Sequence, residues 1–248
     1  MSKRQEIRQR RQRERARNRV LVIALVVVGA LLIVGVLIIP SINNARAGAS
    51  ATQTAQNSTP IPVLTIVPRT INATVDGVHL GDPNAPVKVD VYEDFRCSAC
   101  LYYTTNYEPA IITDYVETGK VYYTFHSFIV IDGNDGSDAS LRSANAAMCA
   151  AEQGKFWEYH DTLYTNQTSE SASLFTNDRL TTMAQNLGLD MTSFNQCFSA
   201  KKYNSDIQND VAKGMNLSIN GTPSIFVNGI LTGMDKVAAA IDSALVGK

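Results

Sequence analysis

The chain is short of the residues that form metal centres. It has four cysteines and only three histidines, which are His79, His126 and His160. Only Cys97 and Cys100 form a CxxC pair, so a zinc site built from all four cysteines is not expected. A copper-binding module needs a third ligand, and none of the histidines lies beside that pair. We therefore predict no bound metal and no cofactor.

The chain also has almost no net charge, only −1, but its charged residues are unevenly distributed. The first nineteen residues hold nine basic and two acidic side chains, a net charge of +7, and the remainder has a net charge of −8. Some basic tails bind nucleic acid. This tail is followed directly by an apolar run, so we predict that it sets membrane topology and has no nucleic-acid role.

The apolar run extends from Val20 to Ile39 and ends at Pro40. A helix of that length matches a hydrocarbon core of about 30 Å. A cleavable signal peptide usually has an apolar core of only about 7 to 15 residues. We predict a retained transmembrane anchor at 20–40. By the positive-inside rule the tail, 1–19, lies in the cytoplasm and the rest of the chain lies outside the cell membrane.

A tether and one folded domain are expected after the anchor. Residues 41–75 are rich in Ala, Thr, Ser, Asn and Pro and show no sustained period, which predicts a flexible linker. The domain is predicted at 76–248. Helical periodicity from about residue 138 to residue 218 indicates a helical subdomain within it. The expected fold class is α/β.

The CxxC pair is predicted to lie where a strand meets a helix. The alternating run Val87–Tyr92 indicates a strand, and a helix is expected from Ser98. A helix N-terminus favours a thiolate, and Cys97 is the outermost of the two cysteines. Cys97 is therefore the expected nucleophile, and Cys100 the thiol that resolves the mixed disulfide. A CxxC pair alone also occurs in zinc sites and in structural disulfides.

A second motif, Gly221-Thr222-Pro223, precedes an expected strand at 224–227 and a hairpin turn at Asn228-Gly229. A cis Thr222-Pro223 bond at this point would leave an open strand edge beside the cysteines for a substrate peptide. An ordinary trans proline at the start of a strand is the alternative.

Together these segments resemble the DsbA-like branch of the thioredoxin superfamily, especially its membrane-anchored bacterial members. The resemblance runs from about Gly81 to the C-terminus and rests on four segments, which are 85–87, 92–100, 152–161 and 221–223. It implies a thioredoxin fold with a helical insertion, Cys97 as nucleophile, Cys100 as resolving cysteine and a cis bond before Pro223.

The chain departs from the best-known members of that branch at two positions. Ser98-Ala99 stands between the cysteines, where strong oxidants of the family typically have Pro-His, and Val91 replaces an acid that is often buried. Glu93 and Asp94 lie near enough in sequence to accept a proton from Cys100, although adjacent acids before a loop are more often solvated turn residues.

The other two cysteines are expected to have a structural role. Cys149 and Cys197 lie on apolar stripes of different helices, which suggests a disulfide that links the helical subdomain. The alternative is two buried free thiols.

The leading hypothesis for function is an extracytoplasmic thiol-disulfide oxidoreductase that introduces disulfides into exported proteins. Its partners would be exported proteins with free thiols and a membrane quinone-linked thiol oxidase that accepts the electrons. A reductase or isomerase of the same fold is the first alternative. A metal-binding module or a scaffold with an inert disulfide belongs to a different class.

Overall fold

The structure of the protein, a computed structural model, describes residues 64–66 and 70–247. The predicted cytoplasmic tail and membrane anchor lie outside those residues. Within the described ranges no helix is both long and apolar enough to cross a bilayer.

The described residues form a mixed sheet with helices around it. Its strands are β1 (Val75–Asp76), β2 (His79–Leu80), β3 (Val87–Glu93), β4 (Val121–Ser127), β5 (Ser224–Val227) and β6 (Ile230–Thr232). Their spatial order is β1-β2-β4-β3-β5-β6. β3 runs parallel to β4 and antiparallel to β5. It therefore lies between a strand that follows it along the chain and a strand from the C-terminal part.

Apolar and polar residues alternate along β3, which gives the strand one apolar face. Val87, Val89 and Val91 are fully buried, whereas Lys88 and Asp90 between them are only partly buried. Side chains of a strand point alternately to opposite faces, so the valines form one continuous apolar face. That face packs into the main hydrophobic core and fixes the C-terminal end of β3, where the cysteines follow.

Between β3 and β4 the chain forms α1 (Ser98–Asn106), α2 (Glu108–Ile111) and a π-helical turn at Ile112–Val116. Pro109 lies in the first turn of α2, where its missing N–H costs nothing. Pro109 therefore lies at the start of a second helical segment after α1.

A helical subdomain follows β4, and its helices lie between Asp132 and Asn216. Its helices are α3 (Asp132–Asp135), α4 (Ala139–Ala151), α5 (Phe156–Thr165), α6 (Asn177–Asn186), α7 (Met191–Ser199) and α8 (Asn204–Asn216). Asp190 accepts a hydrogen bond from the Ser193 amide and so caps the N-terminus of α7. After β6 the chain ends with α9 (Val237–Val246).

The predicted linker ends earlier than expected. Thr65 exchanges two hydrogen bonds with the Asn166 side chain, and Leu64 and Ile71 pack against the core. Val75, expected to be the last linker residue, pairs with Leu80 in the sheet. Composition alone misses this boundary because short segments that dock by a few contacts lack a periodic pattern.

Candidate active site

Cys97 and Cys100 lie where β3 ends and α1 begins. Cys97 is the N-cap residue of α1, with extended backbone angles, and Cys100 is one turn further along the helix. Both are free thiols in the structure. Cys97 retains 8% of its surface, whereas Cys100 is completely buried. Only the outer sulfur is therefore open to a thiol or disulfide of another molecule.

The two thiols also differ in acidity. A hydrogen bond from the Cys100 thiol lowers the pKa of Cys97 to about 6, against the opposing effect of burial. The Thr222 side chain and the backbone amides of Cys100 and Ala99 add to the lowering. Burial raises the pKa of Cys100 well above its ordinary value. The thiolate therefore resides on Cys97, which suits it to attack, and Cys100 holds the proton.

The Thr222-Pro223 loop packs against the outer sulfur. The Thr222-Pro223 bond is cis, and the Thr222 carbonyl oxygen lies 3.3 Å from Cys97 Sγ. Pairing between β3 and β5 causes this approach, since Tyr92 lies opposite Ser224. The structure thus brings together the two motifs that the sequence singled out, although 125 residues separate them.

Glu93 and Asp94 are not solvated turn residues, because each is only 1% exposed. Asp94 accepts hydrogen bonds from the backbone amides of Arg96, Val130 and Ile131, each at 2.9 Å. Those contacts connect the turn before Cys97 to the loop after β4. Asp94 therefore stabilises the position of the site through its backbone contacts.

Glu93 points into the interior on the side of Cys100. Its carboxylate accepts a hydrogen bond of 2.5 Å from the Tyr164 hydroxyl, and His160 Nε2 lies 3.9 Å away. Its negative charge is among the causes that raise the pKa of Cys100. Glu93, Glu108 and His160 place carboxylate and imidazole atoms within 4.8 Å of one another, all buried. The ligand atoms of this cluster are close enough together to bind a cation.

This domain is similar to known proteins in both fold and sequence. A family profile described as Thioredoxin matches residues 73–245. The chain is 30% identical over 171 residues to a Bacillus cereus protein named probable disulfide bond formation protein D, covering 67% of this chain and 77% of that protein. The chain belongs to the DsbA-like thioredoxin family. It is accordingly a protein thiol-disulfide oxidoreductase.

Solved structures agree with this assignment. BdbD from Bacillus subtilis in its oxidised form superposes with a TM-score of 0.62, covering 71% of this chain and 99% of that one. Its sequence identity of 21% supports the fold alone. Alpha-DsbA1 from Wolbachia pipientis is 26% identical with a TM-score of 0.59, covering 68% of this chain and 93% of that one. The thioredoxin-like α/β fold predicted from the sequence is thereby confirmed.

Sequence reasoning missed one buried residue of this DsbA-like site, Arg96. Its guanidinium is 1% exposed and forms ion pairs of 2.8 Å with Asp132 and 2.5 Å with Asp135. The Arg96 hydrogen bond holds the pKa of the Asp135 carboxyl below its usual range. Arg96 also donates from Nε to the Glu170 carbonyl oxygen at 2.9 Å. Arg96, which directly precedes Cys97, therefore connects the site to α3 and to the segment around Glu170 in the helical subdomain.

The second pair of cysteines lies inside the helical subdomain of the DsbA-like chain. Cys149 in α4 and Cys197 in α7 are joined by a disulfide across 48 residues of sequence. Both are almost completely buried. The structure thus contains the bond that the sequence suggests, in place of the alternative of two free thiols.

Proposed function

We propose that this protein introduces disulfide bonds into exported proteins outside the cytoplasm, using Cys97 and Cys100 as the exchanging pair. The main support is the difference between the two sulfurs, one open and acidic and the other buried and protonated. A second support is that relatives of the chain are named probable disulfide bond formation protein and putative protein-disulfide oxidoreductase.

Oxidation of a substrate proceeds in two exchange steps. A substrate thiolate attacks Cys97 Sγ of the oxidised pair, the Cys97–Cys100 bond breaks, and Cys100 leaves with the electron pair and takes up a proton. A second thiolate of the substrate then attacks the substrate sulfur of the mixed disulfide. The substrate disulfide forms, and Cys97 is released as a thiolate. The substrate has lost two electrons, and the pair is reduced. A low pKa makes Cys97 the better leaving group in the second step.

The reverse sequence regenerates the oxidised pair. The Cys97 thiolate attacks a disulfide of the redox partner, for which we propose a membrane quinone-linked thiol oxidase. Cys100 must then lose its proton and attack Cys97 Sγ, which releases the partner as a dithiol. We assign Glu93 as the acceptor of that proton, because it is buried on the side of Cys100 and its charge acts on Cys100. The three backbone hydrogen bonds of Asp94 favour a structural role for that carboxylate.

The Thr222-Pro223 loop is proposed to receive the substrate peptide, since Thr222 lies against the attacked sulfur. We also propose that the segment 20–40 anchors the protein in the cell membrane, with 1–19 in the cytoplasm. With this topology the catalytic domain lies outside the cytoplasm, where it can meet exported proteins.

A reductase or isomerase of the same fold is the alternative, favoured by Ser98-Ala99, which places no histidine beside the Cys97 thiolate. The deciding experiment incubates the oxidised full-length chain, in detergent, with a reduced peptide that contains two cysteines. Stoichiometric formation of the peptide disulfide with reduction of the pair supports the oxidase. Failure to oxidise the peptide, combined with rapid reduction of insulin by the reduced chain, would support the reductase.

A further inference from the structure

Two anionic groups meet at the N-terminus of α1. The amides of Ala99 and Cys100 act on the Cys97 sulfur and lower its pKa. The remaining amide of that turn, on Ser98, donates to Glu170 Oε1 at 3.2 Å, and the Ser98 hydroxyl donates to the same oxygen at 2.9 Å. The carboxylate of Glu170 therefore binds the helix end immediately beside the residue that carries the thiolate.

Glu170 is held at this place by its backbone and not only by its side chain. Its carbonyl oxygen accepts from both Nε and Nη2 of Arg96, which is buried. The Gln167 side chain, also buried, donates to the Arg96 carbonyl oxygen. The segment 167–170 is thus fixed over the turn that precedes Cys97, so the Glu170 carboxylate remains near the helix end although it is exposed.

Negative charge at a helix N-terminus is stabilised by the free amides, by a factor of about two to five in an equilibrium constant for an exposed group. A carboxylate and a thiolate bound at one helix end carry like charges and repel each other. The Cys97 thiolate exists only when the pair is reduced, so its repulsion by the carboxylate is absent from the disulfide. The carboxylate therefore disfavours the reduced state more than the oxidised state.

We propose that Glu170 tunes the Cys97–Cys100 pair as a positioning residue: its carboxylate binds the first amide of α1, opposes the Cys97 thiolate and makes the disulfide less oxidising. This inference rests on the proposed role of Cys97 as the thiolate and attacked sulfur. It also gives Ser98 a function, since its amide and hydroxyl hold the competing anion.

The test compares the full-length chain with Glu170→Gln, in which the amide oxygen retains the bond to Ser98 and only the charge is lost. We expect the equilibrium constant for reduction of the pair by glutathione to rise about two- to fivefold, from the helix-end stabilisation above. At 29.6 mV per tenfold change this equals about 10 to 20 mV. The pKa of Cys97, followed by thiolate absorbance in the ultraviolet, should fall in parallel. Both differences should shrink in 1 M salt, where the Debye length is only about 3 Å.

Two further variants control the experiment. Glu117→Gln removes a different carboxylate, which is partly exposed and accepts a hydrogen bond from the Asn72 amide. Glu117 lies near the start of β4, at the opposite end of the parallel strands from Cys97. This variant should leave both quantities unchanged. Glu170→Ala, which removes charge and hydrogen bond together, should shift them in the same direction as Glu170→Gln and shows the effect if the glutamine variant fails to fold.

The outcomes separate this inference from the proposed function. If the pair exchanges with glutathione but neither Glu170 variant changes its equilibrium constant or the pKa of Cys97, the tuning role is wrong and the oxidoreductase chemistry stands. A shift toward a less oxidising pair would also contradict the tuning role. If the unmodified pair does not exchange at all, both proposals fail.

Discussion

The two cysteine pairs of this chain use the same atoms for opposite purposes. Cys97 and Cys100 are three residues apart at a helix N-terminus, with one sulfur open to solvent and a low pKa. Cys149 and Cys197 are joined across 48 residues of sequence and lie within the core of the helical subdomain. The comparison shows that the surroundings of a cysteine, and not its residue type, decide whether its disulfide exchanges or persists.

Removal of the exchanging sulfurs should give the largest effect. Cys97→Ser should abolish oxidation of a reduced peptide, because no other exposed thiol is available among the described residues. Cys100→Ser should retain attack but accumulate mixed disulfides, since the resolving thiol is missing. Non-reducing electrophoresis of the full-length variants checks both results. Mixed disulfides that form on Cys97→Ser but not on Cys100→Ser would reverse the assigned roles.

Removal of the buried disulfide should instead affect stability. In Cys149→Ala/Cys197→Ala the unfolded chain regains the entropy of a long closed loop, which corresponds to a loss of about 4 kcal/mol in the free energy of unfolding. Denaturant titration of the oxidised protein measures this loss. Peptide oxidation by the folded fraction should persist. A stability loss of less than about 1 kcal/mol, or complete inactivity of the folded variant, would break the distinction between the two pairs.

Loss of the buried acid behind Cys100 should affect only the exchanging pair. Glu93→Gln is expected to slow the resolving step about 100-fold near neutral pH, at the lower end of the usual range for a proton acceptor. The rate should recover as pH rises, because solvent then deprotonates Cys100 directly. Decay of a preformed mixed disulfide across a pH series measures this step, and Glu117→Gln, which removes a carboxylate far from Cys100, serves as a control for the loss of charge. A uniform slowing at every pH would indicate a merely structural role.

The sequence predicted those parts of this site that depend on local chemistry. The strand before Cys97 follows from alternating valines, and the turn at Asn228-Gly229 has two positive φ angles, as the residue types require. The position of the CxxC pair at a helix start is equally local. Residues at these places interact within a few positions of one another, so pattern and spacing suffice to predict them.

The sequence did not predict contacts made across long separations. Arg96 binds partners 36 to 74 residues away, and nothing near it in the chain indicates that its charge is buried. The sequence also leaves open that Glu93 is a solvated turn residue. Its burial depends on contacts with Tyr164 and His160, which lie in a helix of the distant subdomain. Such groups become recognisable only when the subdomain is packed on the sheet.

The pH dependence of the stability of the reduced protein again separates the two pairs. The folded pKa of Cys97, about 6, lies below its ordinary value of 9.0. Its contribution to the stability of the reduced protein is therefore present above pH 9 and is lost as pH falls through about 6. The free energy of unfolding, measured for the reduced chain and for reduced Cys97→Ala between about pH 6 and pH 9, gives this contribution. The Cys149–Cys197 disulfide does not titrate, so an equal trend in Cys97→Ala would contradict the assignment.

The reduction potential of the Cys97–Cys100 pair tests the proposed direction of exchange most directly. Equilibration of the full-length chain with glutathione buffers gives this value. We expect a potential between those of thioredoxin, about −270 mV, and DsbA, about −120 mV, because the thiolate is stabilised by amides but has no neighbouring histidine. A potential at or below about −270 mV would contradict the oxidase proposal and favour the reductase.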